Sequence, residues 1–218
     1  MTGVYAFVSL NVETPQPTAR FAGVSIFMEN ILFIDGRNFI SKIEEIIGED
    51  TDLSIYNFSN LFSKVLSEIK IDRKIFYISR LIKHPETKEK SEELIEKQRK
   101  LKESLEKQGF EIIFAGRVRA NMGRCPKGHE SLIFKEKGVD VRIAVDMITM
   151  AWDKKIETAV IASSDSDLQP AIKELRRRGM KRIYLGFENN PNKGLAFTTN
   201  RTILIRNSEI AEFDKQNK

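Results

Sequence analysis

The chain has 218 residues, 41% hydrophobic and 31% charged, which excludes wholesale disorder and supplies one domain with trimmings rather than two full domains. Lysine plus arginine exceed aspartate plus glutamate by 36 − 31 = 5, with a pI near 9.2; so mild an excess favours an anionic partner only weakly. A single cysteine, Cys125, excludes an internal disulfide and fits a reducing compartment.

The apolar run 4–12 has no Lys or Arg before it and is broken by Ser9 and Asn11, which argues against a signal peptide. No window carries the roughly 18 uninterrupted apolar residues of a spanning helix. The expected location is the cytoplasm, with no membrane partner. Residues 1–27 contain Pro15 and Pro17 and show no clear period, so they read as an extension before the domain; Met28, next to the first strand, is a candidate translation start.

Residues 30–34 (NILFI) form a continuous apolar run, as expected of a central parallel strand buried on both faces. A turn at DGRN (35–38) leads into a helix with Phe39, Ile40, Ile43, Ile46 and Ile47 at helical spacing. Residues 52–56 are a loop or short strand, and a helix near 60–69 carries Leu61, Phe62, Val65, Leu66 and Ile69 on one face. Residues 74–79 (KIFYIS) are the second strand. The charged segment 87–108 has Leu94, Ile95, Leu101 and Leu105 on one side and stops at Gly109, an amphipathic surface helix with a solvated outer face.

Residues 110–115 (FEIIFA) are a third strand, after which the alternation breaks. The basic segment 116–137 lacks helical period and predicts an excursion, with a hairpin using residues 131–134. The next helix is expected to bury Val141, Ala144, Val145, Ile148 and Trp152, so that Trp152 belongs to the core. Strands follow at 158–162, 181–186 and 202–205, with a helix starting near Asp167. The alternation predicts a three-layer, mostly parallel α/β/α domain over residues 28–206, followed by a C-terminal tail at 207–218.

In such a sheet, residues just after strands and at the starts of crossover helices share one edge. Asp35, Asp140, Asp165 and Asp167 all qualify. Asp146 does not, since six residues of helix put it roughly 9 Å and about 240° away from Asp140. Clustered carboxylates repel unless a cation offsets them, and oxygen ligands without His or Cys favour Mg²⁺ or Mn²⁺. Such ions serve phosphodiester hydrolysis. Each acid also has a structural reading: Asp35-Gly36 as a turn, Asp140 and Asp167 as helix caps. Asn38 either contacts a phosphate, steers a carboxylate or caps its helix, and Ser164 either donates to a ligand or makes a structural hydrogen bond.

Arg117, Arg119, Arg124, Lys127, Lys135 and Lys137 adjoin these acids and suit a phosphate backbone, or else keep an exposed excursion soluble. Arg176, Arg177 and Arg178 lie at the far end of their helix, where they complement its dipole. Cys125 and His129 have zinc-like spacing, but a structural site wants four ligands and His84 is the only other histidine; no zinc is expected.

Three of these segments, FIDGRN (33–38), KGVDVRIAVDM (137–147) and ASSDSDLQPAI (162–172), resemble the NYN family of PIN-like nuclease domains, and within it the LabA-like branch. The resemblance runs in order over residues 30–205. It implies a PIN-like, Rossmann-like fold and a divalent-metal-dependent ribonuclease using Mg²⁺ or Mn²⁺. Asp35 would be the first acid, Asp140 the helix-start acid and Asp165 and Asp167 the strand-end acids, with Asn38 as a polar neighbour; Asp35, Asp140 and Asp165 would bind the ions and Asp167 complete the shell, all four being catalytic. RNA is the implied partner. Family members often carry Gly before the Asp-Ser-Asp, where this chain has Ser164, and Phe after it, where it has Leu168.

Two other readings compete. One is a non-catalytic RNA-binding or regulatory module. The other is a small-molecule phosphoryl-transfer enzyme, although the Toprim pattern wants Glu at Asp35 and the haloacid-dehalogenase pattern wants Asp-x-Asp where this chain has Asp35-Gly36-Arg37. A homodimer is left open.

Overall fold

The computed structural model describes residues 28–82, 88–124 and 130–214. Strand β1 (Glu29–Asp35) is apolar on both sides because it is the middle of the sheet, with residues 31–34 all buried. On one side it pairs in parallel with β2 (Arg73–Arg80), on the other with β5 (Ile156–Ala162). Beyond these lie β3 (Glu111–Arg124), antiparallel β4 (Glu130–Lys137), β6 (Lys181–Phe187) and β7 (Arg201–Ile205), in the order β4-β3-β2-β1-β5-β6-β7. The central sheet therefore has six parallel strands, and β4 extends one edge.

Strand alternation divides the core between two layers. Leu32, Ile34 and Phe76 pack under α1 (Gly36–Ile47), α2 (Phe58–Val65), α3 (Lys88–Lys107) and α7 (Asn207–Glu212), through Phe39, Leu61, Leu105 and Ile210 among others. Ile31, Phe33 and Tyr77 pack on the opposite face under α4 (Val139–Trp152), α5 (Gln169–Arg177) and α6 (Lys193–Thr198). The α/β/α expectation holds in full. Residues 52–56 form a turn, closed by Ser54 N–H donating to Asp52 Oδ1 (2.9 Å). Where a C-terminal tail was expected, α7 is anchored by Tyr56 Oη donating to the Ile210 carbonyl (2.8 Å).

Helix α4 departs from expectation. Val139, Ile143, Met147 and Ala151 face the sheet, whereas Val141, Val145 and Trp152 are 60%, 52% and 69% exposed; Ala144 and Ile148 are half-buried. Trp152 is thus not core. The helix has two apolar stripes on nearly opposite sides, and periodicity alone cannot say which is inward. Its rotation is set at its start, where Gly138 (φ 90°) leaves β4 and caps the helix.

The predicted excursion is the β3–β4 hairpin, whose register runs from Arg117↔Lys137 to Arg124↔Glu130. At its base Gly116 (φ +69°) has no room for a side chain: a Cβ would lie 2.0 Å from the Lys137 carbonyl oxygen. Among the described residues, no helix is long and apolar enough to cross a membrane.

Candidate active site

Asp35 ends β1 and caps α1. Its Oδ1 accepts from the Asn38 backbone N–H (3.3 Å), and its Oδ2 from the Asn38 amide (2.5 Å) and Ser163 Oγ (3.0 Å). Helix α1 approaches β2 closely at Gly36, where a Cβ would meet Phe76 Cε1 and the Tyr77 carbonyl at 2.5 Å. Asp35 is only 4% exposed. Burial pushes its pKa above the ordinary carboxylate value; the bonds from Asn38 and Ser163 oppose this, and the like charge of Asp165 adds to it.

Beyond β5 the chain runs through Ser163 and Ser164 into a single 3-10 turn (Ser166–Leu168). Asp165 caps that turn, its Oδ1 accepting from Asp167 N–H (2.9 Å). Ser163 Oγ accepts from Asp165 N–H (3.1 Å) while donating to Asp35, so one hydroxyl joins the ends of β1 and β5. Asp140 lies in the first turn of α4 and is not its cap. There the free N–H groups and helix dipole favour a negative charge.

Asp140, Asp165 and Asp167 each present an oxygen within 4.8 Å of the others. Asp35 is outside that trio but lines the same cleft, of about 250 Å³, with Arg37, Asn38, Gly138, Val139, Asp140 and Asp165. Asp140 and Asp165 therefore belong to both groups. The trio is three hard oxygen donors at a sheet edge, a set that suits a divalent cation such as Mg²⁺ or Mn²⁺. Asp146 stands apart, accepting from Tyr77 Oη (3.1 Å) and from Arg142 Nε (2.8 and 2.9 Å).

The two polar neighbours have structural partners. Ser164 Oγ donates to Asn38 Oδ1 (2.9 Å), so the Asn38 amide is held at both ends. The Ser164 carbonyl accepts from Asn192 Nδ2 (2.9 Å), and Asn192 N–H donates to Tyr184 Oη (3.0 Å), so the β6–α6 connection braces the acidic turn. Sequence reasoning missed Ser163, Asn192 and Arg37. Asn192 has one local signal, its position as a cap before a short helix.

Arg117 and Lys137 are exposed and oppose each other at the base of the hairpin, and Arg119 opposes Lys135 one step further out. Arg80, also missed, is in register with Arg117 on the neighbouring strand. Arg80, Arg117 and Lys137 thus occupy adjoining positions on three strands. Arg124 is paired in register with Glu130, at the far end of the hairpin. Lys127, Cys125, His129 and His84 lie outside the described residues.

A PIN-like α/β/α sheet with aspartates gathered at the ends of its first and fifth strands is the arrangement of a nuclease domain. The NYN domain family model matches residues 30–205, and the chain belongs to that family, whose members are in general nucleases. An uncharacterised protein of Methanocaldococcus jannaschii is 31% identical over 114 residues, 49% of this chain and 47% of the relative; the chain spans about half the length of that relative. The crystal structure of a Vibrio parahaemolyticus protein of unknown function shares the fold, with a TM-score of 0.53 and 18% identity over 82% of this chain and 93% of the other.

Proposed function

We propose that the chain is a divalent-metal-dependent ribonuclease of the LabA-like branch, acting on RNA with Mg²⁺ or Mn²⁺. The observation that carries this reading is the juxtaposition of an acidic trio with like-charged register neighbours at the adjacent strands. Like charges directly opposite one another destabilise a sheet, and a phosphate backbone crossing them removes that cost.

Asp140, Asp165 and Asp167 would hold the cation, which supplies electrophilic stabilisation of the phosphate and a more acidic water. Asp35 Oδ1 accepts only the long bond from Asn38 N–H. With its raised pKa, that oxygen is the proton acceptor on this side of the cleft. Asn38 and Ser163 fix the carboxylate's orientation. Arg37 lines both the acidic cleft and a neighbouring cavity of about 340 Å³, where it would contact the phosphate beside the scissile one. Arg117, Arg119, Lys135 and Lys137 extend that contact along the strand, and Arg124 serves its outer end.

The test is cleavage of labelled RNA and DNA by purified protein with Mg²⁺, Mn²⁺ or chelator, beside an Asp165→Asn control. Metal-dependent RNA cleavage that disappears in the variant is expected. Equal rates for wild type and variant would rule out the mechanism, and salt-sensitive RNA binding without turnover would identify a regulatory module instead.

A further inference from the structure

Beside the acidic cleft, where α1 and α3 cover the sheet, lies the cavity of about 340 Å³, within the size range of small-ligand sites. Ile78 and Val118 reach it from β2 and β3, Ile40 from α1, and Leu94 and Leu101 from α3, so most of its wall is aliphatic. Gln98 is a polar member of that wall, and the backbone already engages both ends of its amide. Its Nε2 donates to the Ser79 carbonyl (2.9 Å), and its Oε1 accepts from Leu81 N–H (3.4 Å). These bonds tie α3 to the end of β2 and hold the aliphatic wall in place.

Among the described residues Arg37 alone lines both this cavity and the acidic cleft. It is exposed, and no described carboxylate forms an ion pair with it, although Glu44 feels its charge through space. A cation thus stands between an aliphatic cavity and a site for a divalent ion. A nucleotide presents the matching chemistry in the same order, an anionic phosphate followed by a flat ring system, and single-stranded RNA is recognised largely through bases turned out of their stack. A free phosphate would leave the cavity unused, and an uncharged apolar ligand would leave Arg37 without a partner. We infer that the cavity receives the base of the nucleotide next to the scissile phosphate, with Arg37 on the phosphate at its mouth. The inference rests on the ribonuclease reading of the acidic cleft and adds where the strand goes from there. Because the Gln98 amide is engaged, aliphatic contact does most of the holding, and the cavity registers the presence of a base more strongly than its identity.

The test uses a short single-stranded RNA remade with one abasic nucleotide at each position in turn. Cleavage with Mn²⁺ and binding in chelator are measured for the full chain and for Leu94→Trp, which fills the cavity. Removing one base beside the cut is expected to weaken wild-type cleavage and binding roughly tenfold, the scale of one well-held base. Leu94→Trp should lose as much on intact RNA and nothing more on that abasic RNA, while its unfolding temperature and the rise with metal match wild type. Val118→Trp fills the same cavity from the sheet and should give the same pattern. Losses that multiply would overturn the pocket, as would wild-type protein that binds no RNA or is indifferent to every missing base. If no metal supports cleavage, the ribonuclease reading fails by itself and binding still decides the pocket: a loss at one position that both variants abolish supports it, and uniform insensitivity overturns it.

Discussion

Asp35 and Asn38 hold each other at two points. The backbone and the amide of Asn38 each donate to a different oxygen of the same carboxylate, at 3.3 and 2.5 Å. Because Ser164 in turn donates to the Asn38 side-chain Oδ1, the first acid is fixed from both the β1 and the β5 ends. In Asp35→Asn the side-chain bonds can reverse, the new amide donating to the flipped Asn38 Oδ1 and to Ser163 Oγ, while the Asn38 backbone N–H still donates to the remaining carbonyl oxygen.

That reversibility makes Asp35→Asn a folded variant. The folded-state pKa of Asp35 is raised above its unfolded value, so the native state holds the proton more tightly. The Asp35 contribution to stability therefore declines as pH rises from the ordinary Asp value through the folded pKa, and the penalty persists above it. With chelator present, the stability of wild type relative to Asp35→Asn should fall with pH across this range, on top of the opposite slope of carboxylates held below their ordinary range, such as Glu111. The variant should be at least as stable at neutral pH. A parallel pair of curves would show that Asp35 is not the titrating group.

Divalent ions should stabilise the fold through the trio. A ligand that binds only the native state adds about 2.7 kcal/mol at 100 times its dissociation constant. Mg²⁺ or Mn²⁺ should raise the unfolding temperature of wild type, and Asp140→Asn or Asp165→Asn should abolish the rise. Asp167 is exposed, so Asp167→Asn should reduce the rise only in part. Where RNA cleavage is measured, loss of Asp165 should cost at least roughly 100-fold, since even outer-shell changes at metal sites cost up to about that much.

Asp146 supplies the control within the same helix. Its partners are Tyr77 and Arg142, and Tyr77, buried against that carboxylate, is harder to ionise than an ordinary tyrosine. Tyr77→Phe should cost about 0.5–1.5 kcal/mol of stability, the net worth of one hydrogen bond, read by denaturant unfolding. Neither Tyr77→Phe nor Asp146→Asn should alter RNA cleavage or the metal-induced shift.

The basic register row predicts a graded salt effect. On single-stranded RNA, each phosphate that a substitution leaves without its cationic partner should flatten the log–log salt dependence of binding by about 0.7. Arg117→Ala, Lys137→Ala and Arg80→Ala should each do so. Arg124→Ala, opposite Glu130 at the hairpin's outer end, should have the smallest effect. Equal slopes for all four would show that the hairpin base does not carry the RNA.

Glycines at the hairpin base and at the end of α3 should respond differently. Gly116→Ala meets backbone at 2.0 Å and Gly36→Ala meets Phe76 and Tyr77 at 2.5 Å, whereas at Gly109 the nearest atom, Lys74 Nζ, is 3.8 Å away. The first two should each cost about 1–3 kcal/mol or more from overpacking. Gly109→Ala carries only the strain of its positive φ, so equilibrium unfolding should rank it mildest.

Much of this was legible because two strong signals agreed. The apolar runs of β1, β2, β5 and β6 are short and rich in β-branched and aromatic residues, as buried parallel strands are, and the rule that crossover helices start where strands end brings Asp35, Asp140 and Asp165 to one edge. What was not legible depended on bonds between distant segments. Ser163 and Asn192 matter through side-chain bonds to residues 128 and 28 positions away, and no local pattern encodes such a bond. The outward stripe of α4 is as apolar as the inward one, so periodicity favoured the wrong face. Helices α6 and α7 are six residues each, too short to show a period.

The junction between the hairpin and α4 has no slack. Lys137 is the last paired residue of β4, Gly138 caps the helix, and Asp140 stands in its first turn. The buried Val139, Ile143, Met147 and Ala151 hold the phase of α4 on the sheet, so an added residue would have to be absorbed at the helix start, where Asp140 stands, while every strand and helix stayed whole. The length of that short link is therefore as much a part of the acidic site as the carboxylates themselves.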